Sequence, residues 1–279
     1  MAKRKLRTPI ELSEGRVRIS ELGPHPKAPR RDTYENELKE LQLQMLRVQQ
    51  AWHASGQRGI VVLQGWDASG KGGALRRLTE KLDPRGYRVH SISAPTPAEQ
   101  GRHYLWRFWQ RIPQPGGLAI FDRSWYGRVL VERVEGFASE DQWRRAYDEI
   151  NEFEHTLIDD GVRIAKFFLH ITADEQLERF SERLNNPYKR WKLTSEDIRN
   201  RERWADYVGA IDDMIERTST VAAPWTVVLG DHKRHARLEV LRRCVAVFGD
   251  GIDLDLPRVD LEVIREAEAK LGIKVDLGS

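Results

Sequence analysis

Short, nearly continuous apolar runs recur along the chain, and segments with helical periodicity separate them. The runs are rich in Val, Ile and Phe and do not alternate with polar residues, which is typical of strands that are buried on both faces. They are IVVLQ near residue 60, YRVHSI near 87, GLAIFD near 117, VRIAKFFLHI near 162 and WTVVL near 225. This pattern predicts a mostly parallel five-stranded sheet.

The intervening segments carry apolar residues at intervals of three or four, the spacing of an amphipathic helix. Residues 33–55 show it clearly, since Leu41, Met45 and Val48 fall on one face and Gly56 then breaks the pattern. The other predicted helices are 73–83, 98–111, 139–159, 173–185, 204–221, 234–248 and 259–271. Strands that alternate with helices predict an α/β sandwich.

The composition is that of a globular protein with one large or two small domains. Of the 279 residues, 40% are hydrophobic, and the net charge of +3 is too small to indicate nucleic-acid binding by itself. We predict a basic N-terminal arm over residues 1–32, a globular domain over 33–256 and a helical tail over 257–279.

The cellular compartment can also be predicted. The only cysteine is Cys244, so a disulfide within the chain is excluded, which is typical of a reducing compartment. No apolar run approaches the roughly 20 residues that span a bilayer. The N-terminus is basic but lacks the apolar segment of a secretory signal. We therefore expect a cytoplasmic protein that has no membrane partner.

A glycine-rich segment, GWDASGKGG, follows the first predicted strand and opens the next helix. It matches the Walker A pattern G-x-x-x-x-G-K-[ST] except that Gly72 stands where a hydroxyl would bind magnesium, and Asp67 adds a negative charge. The backbone N–H groups of such a loop bind anions, and Lys71 would neutralise a bound phosphate. The alternative is a glycine-rich turn that only joins strand to helix. The predicted phosphate-binding residues of the loop are Gly65, Ala68, Ser69, Gly70, Gly72 and Gly73.

A second motif, IFDRSWYGRVLVERVEGF, places Asp122 at the end of the third predicted strand, as in a Walker B motif. Because the C-terminal ends of neighbouring parallel strands face one crevice, we expect Asp122 near Asp67 and Lys71. Two carboxylates there could hold magnesium, and Asp67 would replace the hydroxyl that residue 72 lacks. The alternative is a structural ion pair between Asp122 and Arg123.

Basic residues cluster at two further places. Arg123, Arg128 and Arg133 belong to the second motif, and such arginines can bind phosphate bidentately. A helical hairpin at about residues 183–204, here called the lid segment, is broken at NNPY and resumes as a helix at Thr194 or Ser195. A closing lid would exclude water from the crevice, although a solvated charged surface is the alternative. Its candidate phosphate ligands are Arg183, Lys189, Arg190 and Lys192.

Taken in order, GWDASGKGG, SAPTPAEQGRHYLWRFWQRIP, IFDRSWYGRVLVERVEGF and NNPYKRWKLTSEDI resemble polyphosphate kinases of the second type, over roughly residues 33–250. The resemblance implies a thymidylate-kinase-like P-loop fold, a three-layer sandwich with a helical lid. It implies reversible phosphoryl transfer between inorganic polyphosphate and a nucleotide, with Mg²⁺, or alternatively Mn²⁺, as the cofactor. By position, Asp67 and Asp122 correspond to the metal-binding pair, Lys71 to the P-loop lysine and Arg123 to the arginine beside the second acid.

The same resemblance extends to the lid and to the partners. Arg183, Lys189, Arg190 and Lys192 fall in the lid, which faces polyphosphate in this family. The second motif looks most like that of members that phosphorylate AMP, although those often fuse two such domains and this chain carries one copy; ADP or GDP are the other acceptors. The resemblance also implies a homodimer or homotetramer, and nucleic acid is not an expected partner.

Two other functions remain open from the residues. An ATP-dependent nucleoside or nucleotide kinase would use the same loop without polyphosphate. A P-loop switch or nucleic-acid-associated protein would need aromatic residues along a basic groove. Trp66 and Trp125 lie beside the two motifs and could stack on a base, but core packing accounts for most of the tryptophans. The absence of an N-K-x-D sequence argues against the switch.

Overall fold

The computed structural model describes residues 10–11, 18–22, 25–253 and 260–274. The strands are β1 (Ile10–Glu11), β2 (Arg58–Gly65), β3 (Tyr87–Ser91), β4 (Leu118–Asp122), β5 (Val162–His170) and β6 (Trp225–Leu229). The helices are α1 (Arg31–Ser55), α2 (Lys71–Thr79), α3 (Trp106–Trp109), α4 (Val131–Val134), α5 (Glu140–Asp159), α6 (Ala173–Asn185), α7 (Ser195–Glu202), α8 (Trp204–Thr218), α9 (Lys233–Gly249) and α10 (Leu261–Leu271). Over these ranges no helix is long and apolar enough to cross a membrane.

The strands form one sheet in the order β1-β6-β5-β2-β4-β3. The pairs from β3 to β6 are parallel, so the prediction of a mostly parallel five-stranded sheet is confirmed. The short strand β1 adds an antiparallel sixth strand at the β6 edge. Leu63 of β2 lies opposite Asp122 of β4. This register brings the residues that follow β2 beside those that follow β4.

Both faces of the inner strands are buried, which explains their nearly continuous apolar runs, whereas the edge strand β3 is partly exposed. Along β2, Ile60 and Val62 belong to one hydrophobic core, and Val61 and Leu63 belong to the other. The first core includes residues of α5 and α8, and the second includes residues of α1, α2 and α9. Successive strand side chains point to opposite faces, so a strand inside such a three-layer sandwich is apolar at most positions, and Lys166 of β5 is a buried exception.

Most predicted helices are present, but the helix predicted at 98–111 is wrong. In that stretch only α3 is α-helical, and the remainder forms turns. Gly101 adopts a φ of +77°, so a continuous helix cannot pass through it. Glu99 still reaches Arg107, with 3.3 Å between the carboxylate and Nε, through the turn rather than along a helix face.

The described part of the N-terminal arm packs on the body of the protein. Ile19 is buried, and its backbone N–H donates to the carboxylate of Asp212 at 2.8 Å. His25 Nδ1 lies 3.1 Å from the carboxylate of Asp231. In the tail, α10 matches the helix predicted at 259–271. The rest of the predicted arm and tail falls outside the described residues.

A buried polar network lies behind the segment that follows β4. The Lys166 side chain is 0% exposed, and its Nζ donates to Glu154 Oε2 at 2.7 Å, to the Tyr126 hydroxyl at 3.0 Å and to the Thr218 carbonyl at 2.7 Å. Glu154 Oε1 accepts from Trp125 Nε1 at 3.0 Å and from the Tyr126 hydroxyl at 2.6 Å. Burial lowers the pKa of Lys166, while the Glu154 carboxylate raises it. The network therefore ties β5, α5 and the end of α8 to the second motif.

We expect the substitution Lys166→Met to lower the free energy of unfolding by about 3–5 kcal/mol, because it leaves Glu154 buried without its counter-charge. Urea denaturation followed by tryptophan fluorescence measures the change. Lys39→Met, on an exposed position of α1, is the matched control and should change stability by no more than about 0.5 kcal/mol. Equal, small effects of the two substitutions would contradict the importance of the network.

Candidate functional site

The glycine-rich loop between β2 and α2 has a backbone that few residues can adopt. The φ angles are +145° at Gly65, +61° at Ala68 and +105° at Gly70. A Cβ atom on Gly65 would lie 2.5 Å from the carbonyl oxygen of Leu169, a backbone atom that cannot move aside. The glycines therefore allow the loop to turn tightly against β5 and to start α2 at Lys71. The N–H groups at the start of this helix favour a bound anion.

Lys71 lies at the centre of the site. Its Nζ donates to the carbonyl of Gly65 at 2.7 Å and to that of Trp66 at 3.0 Å. Burial lowers the pKa of Lys71, and the carboxylates of Asp67 and Asp122 raise it. Both carboxylates thus lie near enough to act on the amine. The structure brings together the three side chains that the parallel-sheet argument places at one crevice.

The Asp67 side chain is only 14% exposed, and each of its carboxylate oxygens has a partner. Oδ1 lies 3.3 Å from an Nη of Arg123, and Oδ2 accepts from Nδ2 of Asn200 at 2.9 Å. Its backbone carbonyl accepts from Gln176 Nε2 at 3.1 Å. In this structure Arg123, which follows β4, therefore pairs with Asp67 in the loop after β2. The alternative ion pair between Arg123 and its neighbour Asp122, both of which the structure describes, is not formed.

Arg123 has an unusual backbone for a bulky residue. Its φ is +63°, and its N–H donates to the carbonyl of Leu63 at 3.1 Å. Such a conformation costs about 1–3 kcal/mol and persists where the surroundings hold it. The sharp turn directly after β4 leaves the guanidinium 46% exposed between Asp67 and Glu196, which lies 3.9 Å from it. The side chain is therefore available to an anion in the crevice.

The residues present suit a magnesium ion that also binds phosphate. Asp67 and Asp122 supply carboxylate oxygens, and in the described residues no group of three or more His, Cys, Asp and Glu side chains could hold a metal. Mg²⁺ commonly uses one or two carboxylates and completes its shell with waters and substrate phosphates. A pair of acids beside a phosphate-binding loop fits that preference.

Two cavities adjoin the loop, and they differ in chemistry. The first contains about 660 Å³ of empty space, part of it open to solvent. Asp67, Glu196 and Arg123 line it on the polar side, together with Gln64, Gln176 and Asn200. Its apolar wall is formed by Trp66, Leu130, Val131, Phe168, Tyr207 and Ile211. A cavity of this kind suits a ligand that has an aromatic part and an anionic end.

The second cavity lies on the other side of the loop and is strongly basic. It contains about 800 Å³ of empty space, much of it solvent, between Ala68, Ser69, Gly70 and Gly73 of the loop and the lid. The Ser69 hydroxyl is buried and has no hydrogen-bond partner among the described residues. Because a buried polar group without a partner is costly, this hydroxyl is suited to an incoming acceptor. The cationic lining residues are Arg179, Arg183, Lys189, Lys192, Lys233 and Arg237.

The lid segment consists of the end of α6, a short 3₁₀ turn and α7. α7 begins at Ser195 as predicted, with Thr194 and Asp197 forming a capping box. Arg183 donates to the Lys192 carbonyl at 3.0 Å, which holds the two sides of the hairpin together. Arg190, by contrast, donates to the carbonyl of Leu184 at 2.7 Å and is not among the residues that line the basic cavity.

Two predicted phosphate ligands do not join the described cavities. Arg128 Nε lies 3.1 Å from the carboxylate of Glu132, and its guanidinium covers the ring of Tyr104 at 4.5 Å. Arg133 contacts the carboxylate of Asp213 at 2.7 Å. In this structure both arginines make contacts around α4 and line neither of the two cavities, so their assignment to a phosphate track stays a prediction that this geometry does not support.

Sequence reasoning missed Arg179, which ties the loop to its surroundings. The buried guanidinium donates to the carbonyl of Ala68 at 2.9 Å, to that of Gly230 at 2.7 Å and to that of Asp231 at 2.9 Å. The carbonyl of Ala68, a residue with positive φ, is thereby held in place. One signal was available, because Arg179 lies next to Phe180 on the buried face of the amphipathic α6.

The two tryptophans beside the motifs are used in packing. Trp66 stacks on Trp204 with 3.6 Å between ring centroids and 5° between planes, and its Nε1 donates to His170 Nδ1 at 3.1 Å. Burial lowers the pKa of His170 to about 4, so the imidazole is neutral near pH 7 and can accept that bond. Trp125 is fully buried against the core. Trp66 also forms one wall of the first cavity.

A family model, curated relatives and solved structures all match this chain, and they agree on one family. A family model described as polyphosphate kinase 2 matches residues 28–250. A polyphosphate:AMP phosphotransferase from Pseudomonas syringae pv. tomato is 56% identical over 183 residues, which are 66% of this chain and 37% of that protein. A GDP-polyphosphate phosphotransferase from Mycobacterium tuberculosis is 39% identical over 228 residues, 82% of this chain and 77% of that protein. A crystal structure of polyphosphate kinase 2 from Arthrobacter aurescens TC1 has a TM-score of 0.85 at 30% identity, covering 94% of this chain and 95% of that one.

The loop geometry predicts opposite effects of alanine at two glycines. Gly65→Ala should lower the free energy of unfolding by more than about 2 kcal/mol, because it adds strain at positive φ and a contact with backbone. Gly72→Ala is the matched control: a Cβ there meets no atom within 4 Å, and in a helix alanine should stabilise by about 0.5–1 kcal/mol. Urea denaturation of both variants checks this. A stable Gly65→Ala protein would show that the loop can adopt another backbone.

Proposed function

The chain belongs to the polyphosphate kinase 2 family, and we propose that it transfers phosphoryl groups reversibly between inorganic polyphosphate and a nucleotide. The observation that carries this proposal is the phosphate-binding loop with a basic cavity on one side and a partly apolar cavity on the other. Asp67 and Arg123 line the partly apolar cavity, Ala68, Ser69 and Gly70 line the basic one, and Lys71 follows directly at the start of α2. The chain spans less than half the length of the polyphosphate:AMP phosphotransferases that it matches.

We place polyphosphate in the basic cavity. Polyphosphate is a uniform chain of negative charges and offers no base or sugar for recognition, so its binding requires a concentration of cations rather than a shaped pocket. Arg183, Lys189 and Lys192 of the lid face the loop across this cavity, and Lys233 adds a charge from α9. The buried Ser69 hydroxyl can donate to a phosphate oxygen at the loop.

We place the nucleotide in the first cavity. Its apolar wall, which includes Trp66, Leu130 and Tyr207, provides contact area for a base, and its polar side leads to Arg123. The phosphate of the nucleotide would then meet the guanidinium at the end of β4, while its base lies away from the charged loop. This arrangement points the acceptor phosphate toward the end of the polyphosphate chain at Lys71.

Phosphoryl transfer requires in-line alignment and neutralisation of charge more than covalent help from the protein. Lys71 and the N–H groups at the start of α2 hold the transferred group, and Arg123 balances the charge that develops on its oxygens. Asp67 and Asp122 would hold Mg²⁺, which when bound supplies further positive charge at the phosphates. An acceptor phosphate is already largely ionised near neutral pH, so these acids need not serve as a general base.

Among acceptors we favour AMP. The relative named for AMP is 56% identical to this chain, whereas the one named for GDP is 39% identical, although the latter covers more of the chain. The product in this direction is ADP, and polyphosphate becomes shorter by one unit. ADP and GDP are the alternative acceptors, and the same residues would act on them.

A product analysis tests the proposal directly. The purified protein is incubated with polyphosphate and Mg²⁺ and, separately, with AMP, ADP or GDP, and nucleotides are resolved by anion-exchange chromatography. We expect ADP to form from AMP at the highest rate, and Asp122→Asn to reduce turnover by about 100-fold or more. Phosphorylation with ATP but not with polyphosphate as the donor would contradict the proposal and favour an ordinary nucleotide kinase.

The two cavities predict separate effects on the two substrates. Lys192→Ala should raise the KM for polyphosphate by about tenfold, the effect of losing one charged contact, and leave the KM for AMP almost unchanged. Steady-state kinetics with each substrate varied in turn measures both constants. Lys270→Ala, on the exposed face of α10, is a control with the same loss of charge and should change neither. An equal rise in both constants would contradict the assignment of the basic cavity to polyphosphate.

A further inference from the structure

We propose that Asn200 and Tyr207, neither of which the sequence motifs single out, are positioning residues that orient the carboxylate of Asp67 for a divalent cation. The inference rests on the proposed function only in taking Asp67 as a metal ligand. Two hydrogen bonds in series carry it: Asn200 Nδ2 donates to Asp67 Oδ2 at 2.9 Å, and the Tyr207 hydroxyl donates to Asn200 Oδ1 at 3.1 Å.

The chemistry of the three groups fixes the direction of this relay. An ionised carboxylate only accepts hydrogen bonds, so the amide must present its NH₂ end to Asp67 and its carbonyl to Tyr207. Burial raises the pKa of Tyr207, and the carboxylates of Glu135 and Asp67 raise it further, so the phenol keeps its proton and acts as the donor. Without that hydroxyl, the amide of Asn200 could turn its oxygen toward the carboxylate and repel it.

Asn200 carries no charge, so its hydrogen bond does not reduce the attraction of Asp67 for a cation. Arg123 also contacts Asp67, but a guanidinium cancels the negative charge that attracts a metal. Asn200 holds the second oxygen and leaves that charge intact. Groups that hydrogen-bond to a ligating carboxylate set its orientation, and their loss typically weakens metal binding by about 10–100-fold.

The relay is anchored to a rigid part of the structure. Trp66, the neighbour of Asp67, stacks on Trp204 at the start of α8, with the ring planes 5° apart. Gln176 holds the backbone carbonyl of Asp67 from α6 at 3.1 Å. The position of Asp67 is thus set by α6, α7 and α8 together, and Tyr207, only 8% exposed, transmits the packing of α8 to the carboxylate.

Binding of Mn²⁺, measured by electron paramagnetic resonance on the full chain without nucleotide or polyphosphate, tests the inference independently of turnover. Asp67→Asn should abolish the site and identifies it. We expect Asn200→Leu to weaken Mn²⁺ binding by about tenfold or more. Tyr207→Phe should weaken it by about threefold to tenfold, the factor supplied by one ordinary hydrogen bond. The double variant should resemble Asn200→Leu alone, because the tyrosine acts through the amide.

Tyr147→Phe is the matched control, since Tyr147 is also buried and its hydroxyl accepts a hydrogen bond from Arg133 at 2.8 Å. It should lower thermal stability as Tyr207→Phe does and leave the Mn²⁺ affinity unchanged. The inference is overturned if Tyr207→Phe lowers stability without weakening Mn²⁺ binding, if both tyrosine variants weaken it equally, or if Asp67→Asn binds Mn²⁺ normally. Should Asn200→Leu fail to fold, Tyr207→Phe and Tyr147→Phe decide the question.

The outcome can be separated from that of the proposed function. A wild-type protein that binds Mn²⁺ at Asp67 and shows the expected order of variants, but does not use polyphosphate, would support the relay and contradict the proposed donor. An active wild-type protein whose Mn²⁺ affinity is unaffected in Tyr207→Phe would leave the proposed function standing and overturn the relay.

Discussion

A carboxylate inside an anion-binding loop is the constraint on which this site depends. Asp67 places a negative charge next to backbone N–H groups that favour phosphate, so the structure must compensate for it. Lys71 and Arg123 supply opposite charge, and Asn200 supplies a neutral hydrogen bond. The same charge that would repel a bare phosphate would suit a metal–phosphate complex, the role that we propose for Asp67 in place of a hydroxyl at residue 72.

The interior behind the site provides the stiffness that this arrangement needs. Arg123 has a left-handed backbone directly after β4, and the residues that follow it are held by the buried pair of Glu154 and Lys166. On the opposite side, Arg179 donates to the carbonyl of Ala68 in the loop and to those of Gly230 and Asp231 after β6, so it ties the loop to the end of that strand. A buried ion pair contributes little net stability compared with apolar residues of the same size. Its position here links the sheet, α5 and the second motif, so it constrains the geometry of the crevice.

The two cavities differ in the interaction that they offer to a ligand, since one is lined by cations and the other has an apolar wall. In the function we propose, many cations of the basic cavity would face a repeating anion, and no single contact would specify the register. An apolar wall and a few polar groups of the other cavity would recognise one nucleotide in one orientation. Both cavities share the loop as a wall, so the reacting phosphates would meet beside it.

Local pattern was sufficient to predict the five parallel strands and the meeting of Asp67, Lys71 and Asp122. Buried strands have a local signature, and parallel strands present their C-terminal ends at one edge. The helix predicted at 98–111 is absent because Gly101 adopts a left-handed backbone, which apolar spacing does not reveal.

Which of the remaining basic and polar residues lie at the site was decided by the tertiary structure. Arg128 and Arg133 share a motif with Asp122 yet contact Glu132 and Asp213, whereas Asn200 reaches Asp67 from 133 positions away. A charged or amide side chain carries no local mark of its partner. Its role depends on how helices pack around the sheet, because hydrogen bonds and ion pairs act over a few ångströms in space and not along the chain.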